Sequence, residues 1–336
     1  MALVLAACTS TGSTTTNTPA DTPPVTPLVT PAGTPAAESD PATVTIPSNM
    51  TAATAATIAT TATAAPQAPA AARLDPPPDA AALADRLSAA ELTVRDPASD
   101  PRAVRSAGVE LQLLLRSLTA RPELDDTVLA ALDPVVRPTL ERLIRARQFQ
   151  QARAAADPTP TPLSPTLPAW TIVEPQPAEV LLAHYAEAEA LTGVPWYWLA
   201  AIHLQETRMG RIEGVSPAGA VGPMQFLPAT WASCCTGDPL VARDAIVGAA
   251  TYLARSGAPG DMSAALHQYN PNDSYVAIVT AYAENLRDVP ELYDGYHAFQ
   301  VFYASAAGTV RLPVGYSQPA PIDAVAYLAA HPADAG

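Results

Sequence analysis

A mainly α-helical protein is predicted by three features of the 336-residue sequence. Apolar residues recur at three- and four-residue spacing in successive stretches from residue 79 onward, the period of a helix with one buried face. Gly193, Gly210 and Gly257 stand where such stretches end, and Asp244, Asp261 and Ser274 stand where others begin, as helix stop and start signals do. The 37 prolines are unevenly spread, gathering in an N-terminal tract and in one connector, so the periodic stretches are left nearly free of breakers.

Taken in order, residues 1–8 read MALVLAAC. Leu5-Ala6-Ala7-Cys8 is similar to the box that ends a bacterial lipoprotein leader, which makes Cys8 the expected lipidated residue and a membrane the expected attachment. The apolar run is short and no basic residue precedes it, so the true start is expected upstream; the alternative is an ordinary leader with a chance cysteine. Residues 9–78 are Thr, Ala, Pro and Ser with almost no charge. Such a composition buries too little apolar surface to offset chain entropy, and a disordered stalk with polyproline II character is expected.

Residues 79–155 form a helical module whose role the sequence leaves open. Its apolar positions are Leu83 and Leu87, then Val109, Leu113 and Leu114, then Leu140 and Ile144. Pro134 and Pro138 should bound the last helix rather than interrupt it. The arginines between Arg137 and Arg153 fall mostly on its polar side and are expected to be solvated. Residues 156–169 alternate proline with small polar residues and read as a semi-rigid linker.

The domain over 170–290 opens with an amphipathic helix, Ala178 to Thr192, presenting Leu181, Tyr185, Ala188 and Leu191 and stopped by Gly193. Pro195 then starts a second helix on which Leu199, Ile202, His203 and Glu206 share a face. Gly210 should end it in a left-handed cap, and the Gly- and Pro-containing run from Gly214 to Pro223 should fold back near Glu206. Asp244 is expected to cap a helix presenting Ile246, Ala250 and Leu253. Asp261 should cap one ending at Tyr269 and Asn270, and Ser274 one carrying Val276, Val279, Tyr282 and Leu286. The 291–336 extension, with Phe299, Val301, Tyr303 and Val310, is expected as an irregular strand or loop.

A carboxyl on an apolar helical face loses hydration, and its pKa rises toward the value useful to a general acid. The competing reading of Glu206 is a partly solvated helix-end acid paired with Arg208 or Arg211. Three ordered blocks bear on the choice: Glu206-Thr207-Arg208-Met209-Gly210 with Ser216-Pro217-Ala218-Gly219-Ala220; Gly222-Pro223-Met224-Gln225-Phe226-Leu227-Pro228; and Ala265 to Asn270 followed by Ser274-Tyr275-Val276. Together they resemble the core of lytic murein transglycosylases with a soluble-lytic-transglycosylase domain, strongly over about 177–286. The resemblance implies a lysozyme-like fold and cleavage of the MurNAc-GlcNAc β-1,4 bond in peptidoglycan with formation of 1,6-anhydro-MurNAc. Glu206 would act as acid and then base, and Ser216, Met224, Gln225, Tyr269 and Asn270 would bind substrate. It also implies a lipoprotein of a high-GC bacterium, in keeping with basic residues that are all arginine, facing the cell wall outside the cytoplasm.

Two further readings stay open: a hydrolytic muramidase, and a non-catalytic peptidoglycan-binding lipoprotein. Most glycosidases use two carboxylates, and Glu213, Asp238, Asp244 and Asp273 are available, yet none sits on an apolar helical face. For Gln225 the alternative is loop hydrogen bonding, for Tyr269 a core aromatic, for His203 a buried and satisfied histidine, and for Trp196, Trp198 and Trp231 core packing. Cys234 and Cys235 depart from the family pattern and are expected as two thiols, a vicinal disulfide being a strained ring. No zinc or calcium ligand pattern occurs, so neither metal nor cofactor is expected. The net charge of -14 excludes an electrostatic nucleic-acid footprint.

Overall fold

The structure, a computed structural model, describes Pro77 and residues 79–336. Cys8 and nearly all of residues 9–78, with the lipidation and stalk expectations placed on them, lie outside the described residues. What is described is mainly helical, as the spacing predicts.

Helix α1 (Ala80–Arg95) opens at Asp79, whose carboxylate accepts the Ala82 amide at 2.8 Å. Helix α2 (Pro101–Thr119) opens at Asp100 with proline in its first turn, where no amide partner is needed. Helices α3 (Asp125–Ala131) and α4 (Arg137–Ala156) follow, and Pro138 sits in the first turn of α4. The buried stripe of α2 is Ala107, Leu111, Leu114 and Leu118, so the expected positions Val109 and Leu113 are only partly covered. With leucines all along the segment, several stripes of similar period were available, and packing chose among them.

Helix α5 (Ala178–Thr192) ends at Gly193 in the left-handed conformation, though Leu191, beyond the last covered turn, is 64% exposed. Helix α6 (Trp196–Thr207) follows, then α7 (Pro228–Cys234), α8 (Ala242–Arg255), α9 (Met262–Tyr269), α10 (Asp273–Asp288) and α11 (Leu292–His297). Two expected caps move. Asp244 lies inside the first turn of α8, where it accepts the Asp238 amide. Asn272, not Ser274, caps α10, taking the Ser274 and Tyr275 amides at 2.8 and 3.2 Å. Asp261 caps α9 as predicted.

Cys234 and Cys235, expected as thiols, are joined in a disulfide. The chain leaves α7 between them and Cys235 is extended, a change of backbone direction that brings two neighbouring sulfurs together.

One apolar cluster runs from α1 and α2 through α4 to α5, α6, α8 and α10, ending at Phe299. Residues 79–155 therefore share a core with residues 178–299. At the crossing of α2 and α11 a Cβ on Gly108 would lie 2.3 Å from the Gly295 carbonyl oxygen, and one on Gly295 would meet Val94 at 2.8 Å; the backbones approach because neither residue has a side chain. A polar chain spans the same junction. The Glu91 carboxylate pairs with Arg95 and accepts from Thr139, and Asn285 donates to the Thr139 carbonyl and to the Tyr296 oxygen, both at 3.0 Å.

The polar-face expectation for α4 fails at two arginines. Arg142 reaches Asp288 and Asn285 on α10, and Arg147 is 5% exposed and paired with Asp125. Arg145 and Arg153 are about half exposed.

Strands are short. β1 (Thr166–Leu167) pairs with β6 (Ile322–Asp323), and β2 (Thr171–Ile172) pairs with β3 (Ile212–Glu213). β4 (Val301–Ser305) and β5 (Gly308–Leu312) form a regular antiparallel hairpin, more ordered than the irregular segment expected there. With α12 (Ala324–Ala330) they enclose a second apolar cluster around Trp170, Val310 and Tyr327.

Candidate active site

Glu206 stands in the last turn of α6. Most of that helix is buried: Leu199, Ala200, Ala201, Ile202 and Leu204 have no exposed surface. A helix covered nearly all round is a core element rather than an amphipathic one, so its interior place follows from composition more than from the one face the spacing suggested. Its N-terminus opens after Pro195, where the Glu189 carboxylate accepts the Trp196 amide at 2.9 Å.

The helix ends earlier than Gly210. Arg208 and Met209 already have φ of 55° and 61°, ahead of Gly210 at 84°. Two non-glycine residues in this region carry strain that the surroundings must impose. The fixing contacts are visible: the Met209 amide bonds the His203 carbonyl, and the Thr207 hydroxyl donates to the Pro223 carbonyl at 2.6 Å while accepting the Gly210 amide. Thr207 thereby ties the end of α6 to the loop that folds back beside Glu206.

Glu206 is buried, 8% exposed as a residue. Among the described residues no cation lies within ion-pairing distance of it, and neither Arg208 nor Arg211 forms the pair of the competing reading; Arg211 turns instead to Glu174. Its hydrogen-bond partner is the Tyr275 hydroxyl, which donates to Oε1 at 2.7 Å. Burial pushes its pKa up to about 7, against the lowering pull of that hydrogen bond and of the Arg208 charge.

Tyr275 lies parallel to Tyr269, at 8° with ring centroids 6.5 Å apart. The Tyr269 hydroxyl donates to the Met224 carbonyl at 2.6 Å, so this tyrosine pins the loop. Met224 is fully buried, and Gln225 occupies a left-handed turn with φ of 52°, its amide nitrogen donating to the Gly222 carbonyl at 2.9 Å. Ser216 closes its own turn by accepting the Ala220 amide. Asn270, just past the end of α9, has a buried Oδ1 with no hydrogen-bond partner.

The structure thus gathers Glu206, Tyr275, Tyr269 and Met224 into one linked group. No hydrogen bond joins Ser216 or Gln225 to Glu206 among the described residues. His203 is buried and bonds Tyr185 through Nδ1 at 2.7 Å. Burial, and to a lesser degree the His297 and His184 charges, push its pKa down to about 3, so it stays neutral, while its Nε2 has no partner. Trp231 packs edge-on to Phe226, and Trp196 and Trp198 pack on Tyr197. Glu213 is exposed, Asp244 holds the Asp238 amide, and Asp273 faces Arg153 and His267. No group of three His, Cys, Asp or Glu among the described residues could hold a metal ion.

Two contributors stand in the sequence blocks quoted above but were given no role there. Tyr275 falls on the inward face of α10 with Val279, Tyr282 and Leu286, a four-residue stripe in which the only groups able to reach an acid are phenols. Thr207 follows Glu206 directly and carried no signal of its own.

Glu206 is thus a desolvated carboxyl whose pKa lies where a general acid needs it. Comparison with known proteins narrows this: the membrane-bound lytic murein transglycosylase F of Thiobacillus denitrificans (strain ATCC 25259 / T1) is similar to this chain, 40% identical over 80 residues. Those residues are 24% of this chain and 17% of that relative. No family model matches the chain, and no solved structure matches it.

Proposed function

We propose that the protein is a lytic transglycosylase of peptidoglycan, cleaving the β-1,4 bond between MurNAc and GlcNAc. The observation that carries this reading is Glu206: one buried carboxyl with a pKa of about 7, held by a phenol and by no cation within ion-pairing distance among the described residues. Near neutral pH such a group is available as an acid and, once ionised, as a base.

The Glu206 proton passes to the glycosidic oxygen as the bond from the MurNAc C1 breaks. The resulting carboxylate, stabilised by the Tyr275 hydroxyl, then takes the proton of the MurNAc C6 hydroxyl as that oxygen bonds to C1. Glu206 ends protonated, ready for another cycle, and the product carries a 1,6-anhydro ring. One acid suffices because no water is activated, unlike the two-carboxylate routes of most glycosidases. Asn270 Oδ1, buried and unpartnered, suits the N–H of an acetamido group. Gln225 and Ser216 act on the loop that borders the sugar, and Met224 is its buried anchor. Cys8 would be the site of lipid attachment, with residues 9–78 spanning the distance from an extracytoplasmic membrane face to the wall. The similarity to a membrane-bound lytic murein transglycosylase supports the same substrate and location.

The test is mass spectrometry of muropeptides released from purified peptidoglycan by the whole chain and by Glu206→Gln. Ends one water lighter than reducing ends, absent with the variant, uphold the proposal. Reducing ends would make the protein a muramidase, and no release by the folded wild type would leave a wall-binding protein.

A further inference from the structure

The disulfide of Cys234 and Cys235 takes no part in the chemistry of Glu206, yet it stands at one end of a run of contacts whose other end is that acid. Adjacent side chains diverge by about 100° on a helix and point to opposite faces on a strand, so neighbouring sulfurs meet only where the backbone passes from one form to another. The bond therefore marks the end of α7: Cys234 is its last residue, and Cys235, at φ -130° and ψ 165°, has left it. The chain then turns back, and Trp231 of α7 donates its indole N–H to the Gly237 carbonyl at 3.3 Å. Gly248 of α8 lies against both sides of this arrangement, since a Cβ there would meet the Trp231 ring at 2.4 Å and Cys235 Cβ at 3.4 Å.

From Trp231 the contacts run inward. Its ring packs edge-on to Phe226 at 5.1 Å, Phe226 packs edge-on to Tyr269 at 5.6 Å, and Tyr269 lies parallel to Tyr275, which holds Glu206. Phe226 and Val221 close the loop by bonding each other's carbonyls through their amides, at 3.0 and 2.9 Å. The disulfide itself is reachable from solvent: both cysteines are partly exposed and, with Val247, Thr251 and Arg255, line a surface cleft. At about 160 Å³ that cleft is several times the ~30 Å³ of a water, so an attacking sulfur fits, and the Arg255 charge favours it as thiolate. Reduction lifts the constraint that ends α7 at Cys234. Cys235 and Thr236 are then free to join the helix, which draws the Gly237 carbonyl away from the Trp231 indole.

We propose that the Cys234–Cys235 pair is a reducible lock on the loop beside Glu206, with a dithiol as its reductant. One thiolate of the dithiol attacks a sulfur of the pair and the S–S bond breaks; the second thiol then displaces the first protein sulfur from the mixed disulfide. The dithiol leaves as a disulfide, and Cys234 and Cys235 have gained two electrons and two protons. Oxidised, the lock holds Trp231, Phe226 and the loop in place; reduced, it lets them slacken. The lock rests on the fold alone, whereas its effect on glycan rests on the transglycosylase reading.

The experiment compares the whole folded chain before and after treatment with dithiothreitol. Alkylation and then trypsin should place two labels on the 212–243 peptide, which holds both cysteines but not Cys8. Amide exchange at Val221 and Phe226 should quicken by about fivefold, and KM on soluble glycan should rise by about as much with kcat nearly unchanged, the scale of coupling through packed side chains. The double variant Cys234→Ala, Cys235→Ala should match the reduced protein and ignore dithiothreitol, although it keeps Cys8. Absent labels, exchange unchanged by reduction, KM unchanged in a protein that cleaves, or an equal response in the double variant overturns the proposal. Should neither form cleave glycan, the transglycosylase reading falls and the exchange measurement decides the lock by itself. Should the double variant fail to fold, the two states of the wild type decide.

Discussion

The Tyr275 hydroxyl donates to Glu206 Oε1 at 2.7 Å, joining the first turn of α10 to the last turn of α6. A hydrogen bond to the ionised form lowers a carboxyl pKa. Tyr275→Phe should therefore raise the Glu206 pKa further and move the basic side of the activity profile upward in pH. The base step should slow by about tenfold, the scale of one lost hydrogen bond to a charged group. A pH–rate profile of glycan cleavage checks both; an unchanged midpoint would show that the phenol leaves the acid untouched.

Glu206→Gln should abolish cleavage, a loss of at least about 10²-fold for a general acid–base group. It should also change how stability depends on pH. The folded pKa of about 7 lies above the ordinary 4.5, so the folded state binds the proton more tightly than the unfolded one between those values. Stability falls as pH rises from 4.5 to 7, by up to roughly 3 kcal/mol for a shift of this size. Thermal melts at pH 5 and pH 8 should show a larger drop for wild type than for the variant.

Asn270→Ala separates binding from folding. Because Oδ1 makes no hydrogen bond in the folded chain, removing it deletes an unsatisfied acceptor, and the melting temperature should hold or rise. Substrate binding should weaken by about tenfold, as for one lost hydrogen bond, measured as KM on soluble glycan. A drop in stability with unchanged KM would make Asn270 a structural residue.

Gly108→Ala should cost about 1–3 kcal/mol, because its methyl would meet the Gly295 carbonyl at 2.3 Å and force the backbones apart. Denaturant unfolding measures this. A variant as stable as wild type would mean that the crossing of α2 and α11 is looser than it stands here.

The helices were legible because their signals are local: Asp261 caps, Gly193 stops, and Leu181 and Tyr185 repeat. Glu206 was legible as an acid held in an apolar helix. What escaped depends on contacts distant in sequence. Tyr275 meets Glu206 across 69 positions, and nothing near either residue announces the other. The left-handed turn at Arg208 is held by the Thr207 bond to Pro223, so a glycine two positions later drew the boundary too far. Arg147 looked solvated because its helix face is polar in composition; its partner Asp125 belongs to a different helix.

The apolar cluster shared by α1, α2 and α4 with α6 and α10 bears on how the protein can be divided. A fragment starting in the proline-rich segment would keep Glu206, Tyr275 and the loop of Met224, yet bare the faces of α10 and α11 against which α4 and α2 lie. Such a piece would expose Tyr296 and leave Asn285 without its Thr139 partner. Dissection aimed at the catalytic helices alone would thus trade solubility for brevity, whereas a cut upstream of Asp79 leaves whole every helix among the described residues.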